Sequence, residues 1–337
     1  MIIQLKQNAS DAARASILSK VKSLDYKATQ VDTQCGSYLV ALGKNEVDIR
    51  QLGHMDGIAD IHRVSDDYKL VSRKWKVART QIDLGDEVTI GDGSLTIMAG
   101  PCSIENEDQV IRTLAHLKEN GVQIMRGGVF KPRSSPYAFR GLGLDGLRMW
   151  YQLAREAGIK IITEVMQVSQ IEEMYPYVDV FQVGARNTQN FNLLDALGKV
   201  DKPVLLKRGI SGTIEELLYS AEYIFAAGNE KLMLCERGIR TYEKASRNTM
   251  DINAIPILRE KSHLPVIADP SHGIGIRDHV GSIALASIMA HANGVIFEIH
   301  EKPEQAMSDG QQTLDFTESA RLIAKMKAAF ELCSGWE

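Results

Sequence analysis

Pro203-Val204-Leu205-Leu206-Lys207, the helical segment Ile214–Ala227 and Lys231-Leu232-Met233-Leu234-Cys235 form one unit of a pattern that decides the fold. Both short runs are apolar at nearly every position, as expected of parallel strands buried on both faces. The pattern continues in both directions. Upstream lie the strands Leu95–Met98, Val122–Met125, Lys160–Glu164 and Val180–Val183; downstream lie Pro265–Ala268 and Gly294–Glu298. Helical segments separate them, among them Asp108–Glu119, Leu144–Ala157 and Asp278–Ala290, and Thr317–Phe330 closes the series. Eight strands, each followed by a helical segment, in ~250 residues predict an α/β fold of the (β/α)8 TIM-barrel type. A doubly wound open sheet is the alternative, but it calls for a Gly-rich nucleotide turn after its first strand. Here that strand runs into Ala99-Gly100-Pro101-Cys102. A hairpin is expected just before the barrel, at Val88-Thr89-Ile90 with a turn at Gly91-Asp92-Gly93.

Ahead of residue 82 the rhythm differs. Ile2–Leu5 reads as a strand, and Ser10 and Asp11 cap a helix through Lys22. Thr29–Thr33 and Tyr38–Leu42 read as strands, Glu46–Leu52 as a short helix and Ile58–Val64 as a last strand. This βαββαβ order is that of a ferredoxin-like unit. The expected domains are thus 1–65, a charged and polar linker over 66–81, and the barrel over 82–337.

The 337 residues carry 39 Lys and Arg against 43 Asp and Glu, a net charge of −4, which excludes a general nucleic-acid binder. No apolar run reaches the ~20 residues of a membrane span, and Met1-Ile2-Ile3-Gln4-Leu5-Lys6 lacks the apolar stretch and small-residue cleavage site expected of a signal peptide. The four cysteines are scattered, as in a reducing, cytoplasmic setting where each has its own explanation. Cys35, Cys235 and Cys333 read as bystanders, Cys235 as a packed core thiol.

In a barrel, chemistry sits at the C-terminal strand ends. Polar residues are sparse in the strands and dense where they end. Arg126, Lys131, Arg133, Arg186, Lys207 and Arg237 would converge on one rim. Any one of them alone reads as a solvated surface charge. Their recurrence at four strand ends in an acidic protein points instead to anionic substrates, such as two phosphates and a carboxylate. Cys102, His272, Glu298 and Asp309 follow strands 1, 7 and 8, neighbours once the barrel closes. A lone Cys, His or Glu is usually a core or polar contact. Together, a thiol, an imidazole and two carboxylates suit one divalent metal ion, with Mn, Fe, Co, Zn or Cu all compatible.

Gly100-Pro101-Cys102, Lys131-Pro132-Arg133-Ser134-Ser135, Gly184-Ala185-Arg186-Asn187, Leu206-Lys207-Arg208-Gly209, Asp269-Pro270-Ser271-His272 and Ser308-Asp309-Gly310 resemble the signature of 3-deoxy-D-arabino-heptulosonate 7-phosphate (DAHP) synthases. The leading module resembles the regulatory domain carried by some members of their type I beta branch. The resemblance implies a metal-dependent condensation of phosphoenolpyruvate with erythrose 4-phosphate, the first step towards chorismate in the shikimate pathway. It implies that Arg126, Lys131, Gly184, Ala185, Arg186, Lys207 and Arg237 hold phosphoenolpyruvate. Lys131, Pro132, Arg133 and Ser134 would hold erythrose 4-phosphate, and Cys102, His272, Glu298 and Asp309 the metal. Lys131, Cys102 and His272 would be catalytic, Lys131 as a proton donor to the new alkoxide. Glu164 would position a water or pair with a neighbouring cation. A homotetramer inhibited by Tyr or Phe is expected, the module docking over a barrel mouth on a mobile linker. The octulosonate synthases, which use arabinose 5-phosphate, are the alternative; they typically read Lys-Ala-Asn-Arg-Ser where this chain has Lys131-Pro132-Arg133-Ser134.

Overall fold

The computed structural model describes residues 1–45, 47–131, 137 and 139–335. The leading module contains β1 (Ile2–Leu5), α1 (Asp11–Ser23), β2 (Lys27–Asp32), β3 (Ser37–Leu42), α2 (Arg50–Gly53) and β4 (Ile58–His62). Ser10 caps α1 by accepting from the Ala13 amide, as its sequence position suggested. The sheet order is β2-β3-β1-β4 with antiparallel neighbours, the arrangement of a split βαβ unit. Strand periodicity gives this sheet two apolar faces. Ile3, Leu5, Leu39 and Ala41 pack with Ile17, Val21 and Leu52 in the module's own core. Ile2, Val31 and Tyr38 belong instead to the large core shared with the barrel. The helix expected over 46–52 is a single turn at Arg50–Gly53. The Asp48 carboxylate accepts from the Arg50 amide, a local turn that competes with helix, and α2 has no side-chain cap.

Residues 66–81 correct the expectation of a loose polar linker. Tyr68, Leu70, Val71, Ser72, Trp75 and Thr80 are all buried. The Glu222 carboxylate accepts from the Leu70 and Val71 amides at 2.8 and 3.0 Å. Buried His263 bonds the Thr80 hydroxyl through Nδ1 at 2.7 Å and meets the Leu70 carbonyl through Nε2 at 2.8 Å. The segment is charged in composition, yet its few large apolar groups are the ones that meet the barrel.

A hairpin, β5 (Ile82–Asp83) with β6 (Thr89–Ile90), follows. Its turn lies at Gly85-Asp86-Glu87, all at positive φ, and not at Gly91–Gly93 as expected. Ile82, Val88 and Ile90 cover the barrel floor, so burial sets the pairing and overrides the local turn signal.

Eight parallel strands then close into a barrel: β7 (Thr96–Gly100), β8 (Ile124–Gly127), β9 (Lys160–Glu164), β10 (Val180–Val183), β11 (Val204–Lys207), β12 (Leu232–Glu236), β13 (Val266–Ala268) and β14 (Gly294–Glu298). The helices between and after them are α3 (Glu107–Glu119), α4 (Gly143–Ala157), α5 (Ser169–Met174), α6 (Phe191–Leu197), α7 (Ile214–Ala226), α8 (Ala254–Lys261), α9 (Pro270–Ile274), α10 (Arg277–Met289) and α11 (Phe316–Ser334). Closure is by β14 on β7, from Gly294 opposite Thr96 to Glu298 opposite Gly100. Met98, Ile124, Ile162, Val180, Leu205, Met233, Ile267 and Ile296, one from each strand, fill the interior with Cys235. That apolar floor leaves the C-terminal strand ends as the place where polar side chains meet. Among the described residues no helix is long and apolar enough to cross a membrane.

Candidate active site

The thiol and the two carboxylates expected to share a site do meet. Cys102 follows the end of β7, Glu298 ends β14, and Asp309 sits in the loop beyond at φ 50°. One donor atom from each lies within 4.8 Å of the others, a group able to hold a metal ion. Cys102 Sγ is 3.2 Å from Asp309 Oδ2 and 3.0 Å from Lys131 Nζ. His272 stands at the edge of this group, its Nε2 3.6 Å from Glu298 Oε1. Asp269 sets that orientation: it caps α9 through the His272 amide and accepts from His272 Nδ1 at 2.8 Å. The same Asp269 oxygen bonds Lys207 Nζ at 2.5 Å.

The electrostatics fit a cation. Burial, reinforced by Glu298, pushes the Cys102 thiol up to about 11, so ionising it calls for added positive charge. Burial opposes ionisation of Glu298 and Asp309 too. His272 and Arg126 outweigh it at Glu298, and chiefly Arg247 at Asp309, leaving both carboxyls below their usual range. Asp269 is held well below its ordinary value; burial opposes this, but His272 and Lys207 prevail. A soft thiol beside two ionised carboxylates, with an imidazole at their edge, is a donor set that suits a divalent transition metal.

One cavity of about 210 Å³ brings the cations together with Asp309 and His272. Arg126, Lys131, Gly184, Ala185, Arg186, Lys207, Arg237, His272 and Asp309 all line it, as does Glu164. Arg126 is buried and donates to Glu298 at 3.1 Å and to the Pro101 carbonyl at 2.8 Å. Arg186 is exposed. Burial holds Arg237 below the usual guanidinium value. Glu164 lies against Gly184: a Cβ there would stand 2.1 Å from Glu164 Oε1. Arg208 turns away to pair with Glu236 and Asp251, a structural role. Pro132, Arg133 and Ser134 lie outside the described residues. Sequence reasoning missed Gln182, Arg240, Arg247 and Asn248, which also line the cavity. The signal was present for two of them: Arg237, Arg240 and Arg247 crowd the single loop after β12.

A parallel barrel whose C-terminal rim gathers cations around a thiol–carboxylate group is an enzyme scaffold for anionic substrates. The DAHP synthetase I family model matches residues 77–334, and the chain belongs to that family. It is 44% identical to the phospho-2-dehydro-3-deoxyheptonate aldolase of Thermotoga maritima, over 97% of both chains. It is 31% identical to the 2-dehydro-3-deoxyphosphooctonate aldolase of Syntrophobacter fumaroxidans, over 71% of this chain and 88% of that one. The crystal structure of the Thermotoga maritima DAHP synthase superposes with a TM-score of 0.79 at 43% identity, covering 98% of this chain and 97% of that chain. A truncated form of that synthase gives 0.74 at 46% identity, covering 79% of this chain and 98% of its own.

Proposed function

We propose that the chain condenses phosphoenolpyruvate with erythrose 4-phosphate to give DAHP and inorganic phosphate, opening the shikimate pathway. The observation that carries this reading is the cavity in which cations from β8, β10, β11 and β12 meet Asp309 and His272, with Cys102 and Glu298 grouped against Asp309. Two phosphates and a carboxylate need that many cations. Arg126, Lys131, Arg186, Lys207 and Arg237 hold phosphoenolpyruvate, with Gly184 and Ala185 shaping the floor beneath it. Lys131 gives a proton to the new alkoxide, a reading supported by its reach to both the thiol and the cavity. Arg133 and Ser134 take the sugar phosphate. Glu164 positions the attacking water; among the described residues no cation pairs with it. The enol carbon attacks the aldehyde, carbon 2 gains oxocarbenium character, water captures it, and phosphate leaves.

Cys102, His272, Glu298 and Asp309 would hold one divalent ion per chain, which when bound supplies Lewis acidity at the aldehyde oxygen or an activated water. Similarity over nearly the whole chain to the heptulosonate enzyme, against partial similarity to the octulosonate enzyme, supports erythrose 4-phosphate as acceptor. We read residues 1–65 as the ferredoxin-like feedback domain of the type I beta branch, binding Tyr or Phe at an interface between modules of a cytoplasmic homotetramer. Phosphate release is the test, with either sugar phosphate, with and without a chelator. Turnover with erythrose 4-phosphate, lost on chelation and in Cys102→Ser, is expected. Preference for arabinose 5-phosphate would overturn the acceptor, and full activity under chelation would overturn the metal.

A further inference from the structure

We propose that Gln312 is a positioning residue: bound between Arg247 and Glu298, it holds the carboxylates of Glu298 and Asp309 in ligand geometry. The inference rests on the metal-site reading above. Gln312 is fully buried, so both ends of its amide need partners. Its Nε2 donates to Glu298 Oε2 at 2.6 Å, and its Oε1 accepts from Arg247 Nη1 at 2.6 Å. The same Nη1 lies 3.3 Å from Asp309 Oδ1. Each carboxylate therefore has one oxygen tied. The remaining oxygens face the shared site: Glu298 Oε1 towards Arg126 and His272, and Asp309 Oδ2 towards Cys102 Sγ.

The chemistry of the bridge suits this task. A second cation laid directly on Glu298 would compete with a divalent ion, whereas an amide orients the carboxylate without neutralising it. Carbonyl and amino ends match guanidinium and carboxylate in one orientation only. The anchor is itself built. The Arg247 amide donates to the Ile274 carbonyl at 3.1 Å, and Gly275 leaves space where a Cβ would stand 2.4 Å from Arg247 Cβ. Gln312 and Asp309 share one turn, closed by the Thr313 hydroxyl on the Asp309 carbonyl at 2.9 Å. Arg247 also lines the substrate cavity, so it joins the metal ligands to the face where anions arrive.

The experiment uses full-length protein freed of metal by chelator and titrated with Mn²⁺, free ion being counted by electron paramagnetic resonance. Gln312→Met keeps the volume and removes both hydrogen bonds. Gln312→Glu keeps an acceptor for Arg247 but sets a carboxylate against Glu298. Each is expected to raise the Mn²⁺ Kd about ten- to hundredfold, the usual cost of losing a group that orients a ligand. The KM for phosphoenolpyruvate at saturating metal should move far less. With Co²⁺, the thiolate-to-metal band reports Cys102 and should need correspondingly more metal to appear. An unchanged Mn²⁺ Kd in the folded variants overturns the proposal, as does a fall in thermal stability alone. Should Gln312→Met fail to fold, Gln312→Glu and Arg247→Met read the same constant. Cys102→Ser separates the two readings. If it binds Mn²⁺ like the unaltered protein, the metal site itself is wrong; if it alone weakens binding, only the role of Gln312 falls.

Discussion

Asp269 shows how one buried side chain ties the two halves of the site together. A single carboxylate oxygen bonds both His272 Nδ1 and Lys207 Nζ, one an imidazole at the edge of the thiol–carboxylate group and the other a cavity cation. Asp269→Asn keeps the shape but weakens this acceptor, freeing the His272 tautomer and ring. We expect kcat/KM to fall about ten- to hundredfold with little change in secondary structure; activity within twofold of the parent would show that His272 needs no such support. Gly184 gives a second prediction. The atom an added Cβ would meet is the free end of Glu164, which can swing aside. Gly184→Ala should therefore keep its thermal midpoint and raise the KM for phosphoenolpyruvate. Gly100 is the contrast: a Cβ there meets the Arg126 carbonyl oxygen at 2.0 Å, which is backbone and cannot yield cheaply. Gly100→Ala should lower the midpoint, and equal stability of the two variants would refute this distinction.

At the scale of elements, what burial dictates locally was legible in the sequence. Lys160–Glu164, Val180–Val183 and Gly294–Glu298 have the same bounds in the structure as in their apolar runs. The cavity-lining cations and the thiol–carboxylate group were legible because barrel topology converts strand ends into one surface. Long-range partners were not: the Gly85–Glu87 turn obeys the barrel floor, and Arg247 and Gln312 matter only because a loop and a one-turn helix happen to meet. The 66–81 segment failed for the same reason, since its partners Glu222 and His263 lie far along the chain. His263 makes that failure measurable. Burial, with Lys76 nearby, pushes its imidazole from the ordinary 6.5 down to about 3. The neutral ring is the folded form, so its stabilisation is complete above pH 6.5 and is lost as pH falls. Between 6.5 and about 3 the unfolded chain binds a proton the folded one refuses, a cost of up to about 1.4 kcal/mol per pH unit. Denaturant unfolding should show the stability gap between the parent and His263→Gln narrowing as pH drops from about 7 to about 5. Parallel curves would mean that His263 takes up its proton as readily in the fold as in the unfolded chain.

For the molecule as a whole, the decisive fact is where the module sits. Its barrel-facing sheet side sets Tyr38 edge-on to Trp75 and Phe225, at 5.2 and 6.3 Å between ring centres. Thr33 donates to Glu230, and Gln34 bonds both Asn229 and the Glu230 amide. Asn229 and Glu230 lie at the foot of β12, and His263 lies just before β13. The heads of those strands lead into Arg237, Asp269 and His272. The module is thus docked at the opposite end of its own barrel from the cavity. Any arrangement in which it covers a barrel mouth must first break this dock, exposing apolar side chains worth roughly 1.5–3 kcal/mol each. An effector that drives such a change must bind the moved state more tightly by at least that difference. Deleting residues 1–65 removes the dock and, on the proposed reading, the effector site with it. The truncated protein should turn over phosphoenolpyruvate and erythrose 4-phosphate, ignore Tyr and Phe, and unfold at a lower temperature because Trp75 and Phe225 lose their cover. Steady-state rates with and without each amino acid, for both proteins, decide the matter. A truncated enzyme still inhibited by Tyr or Phe would place the effector site on the barrel, and a full-length enzyme indifferent to both would leave the module a purely structural part.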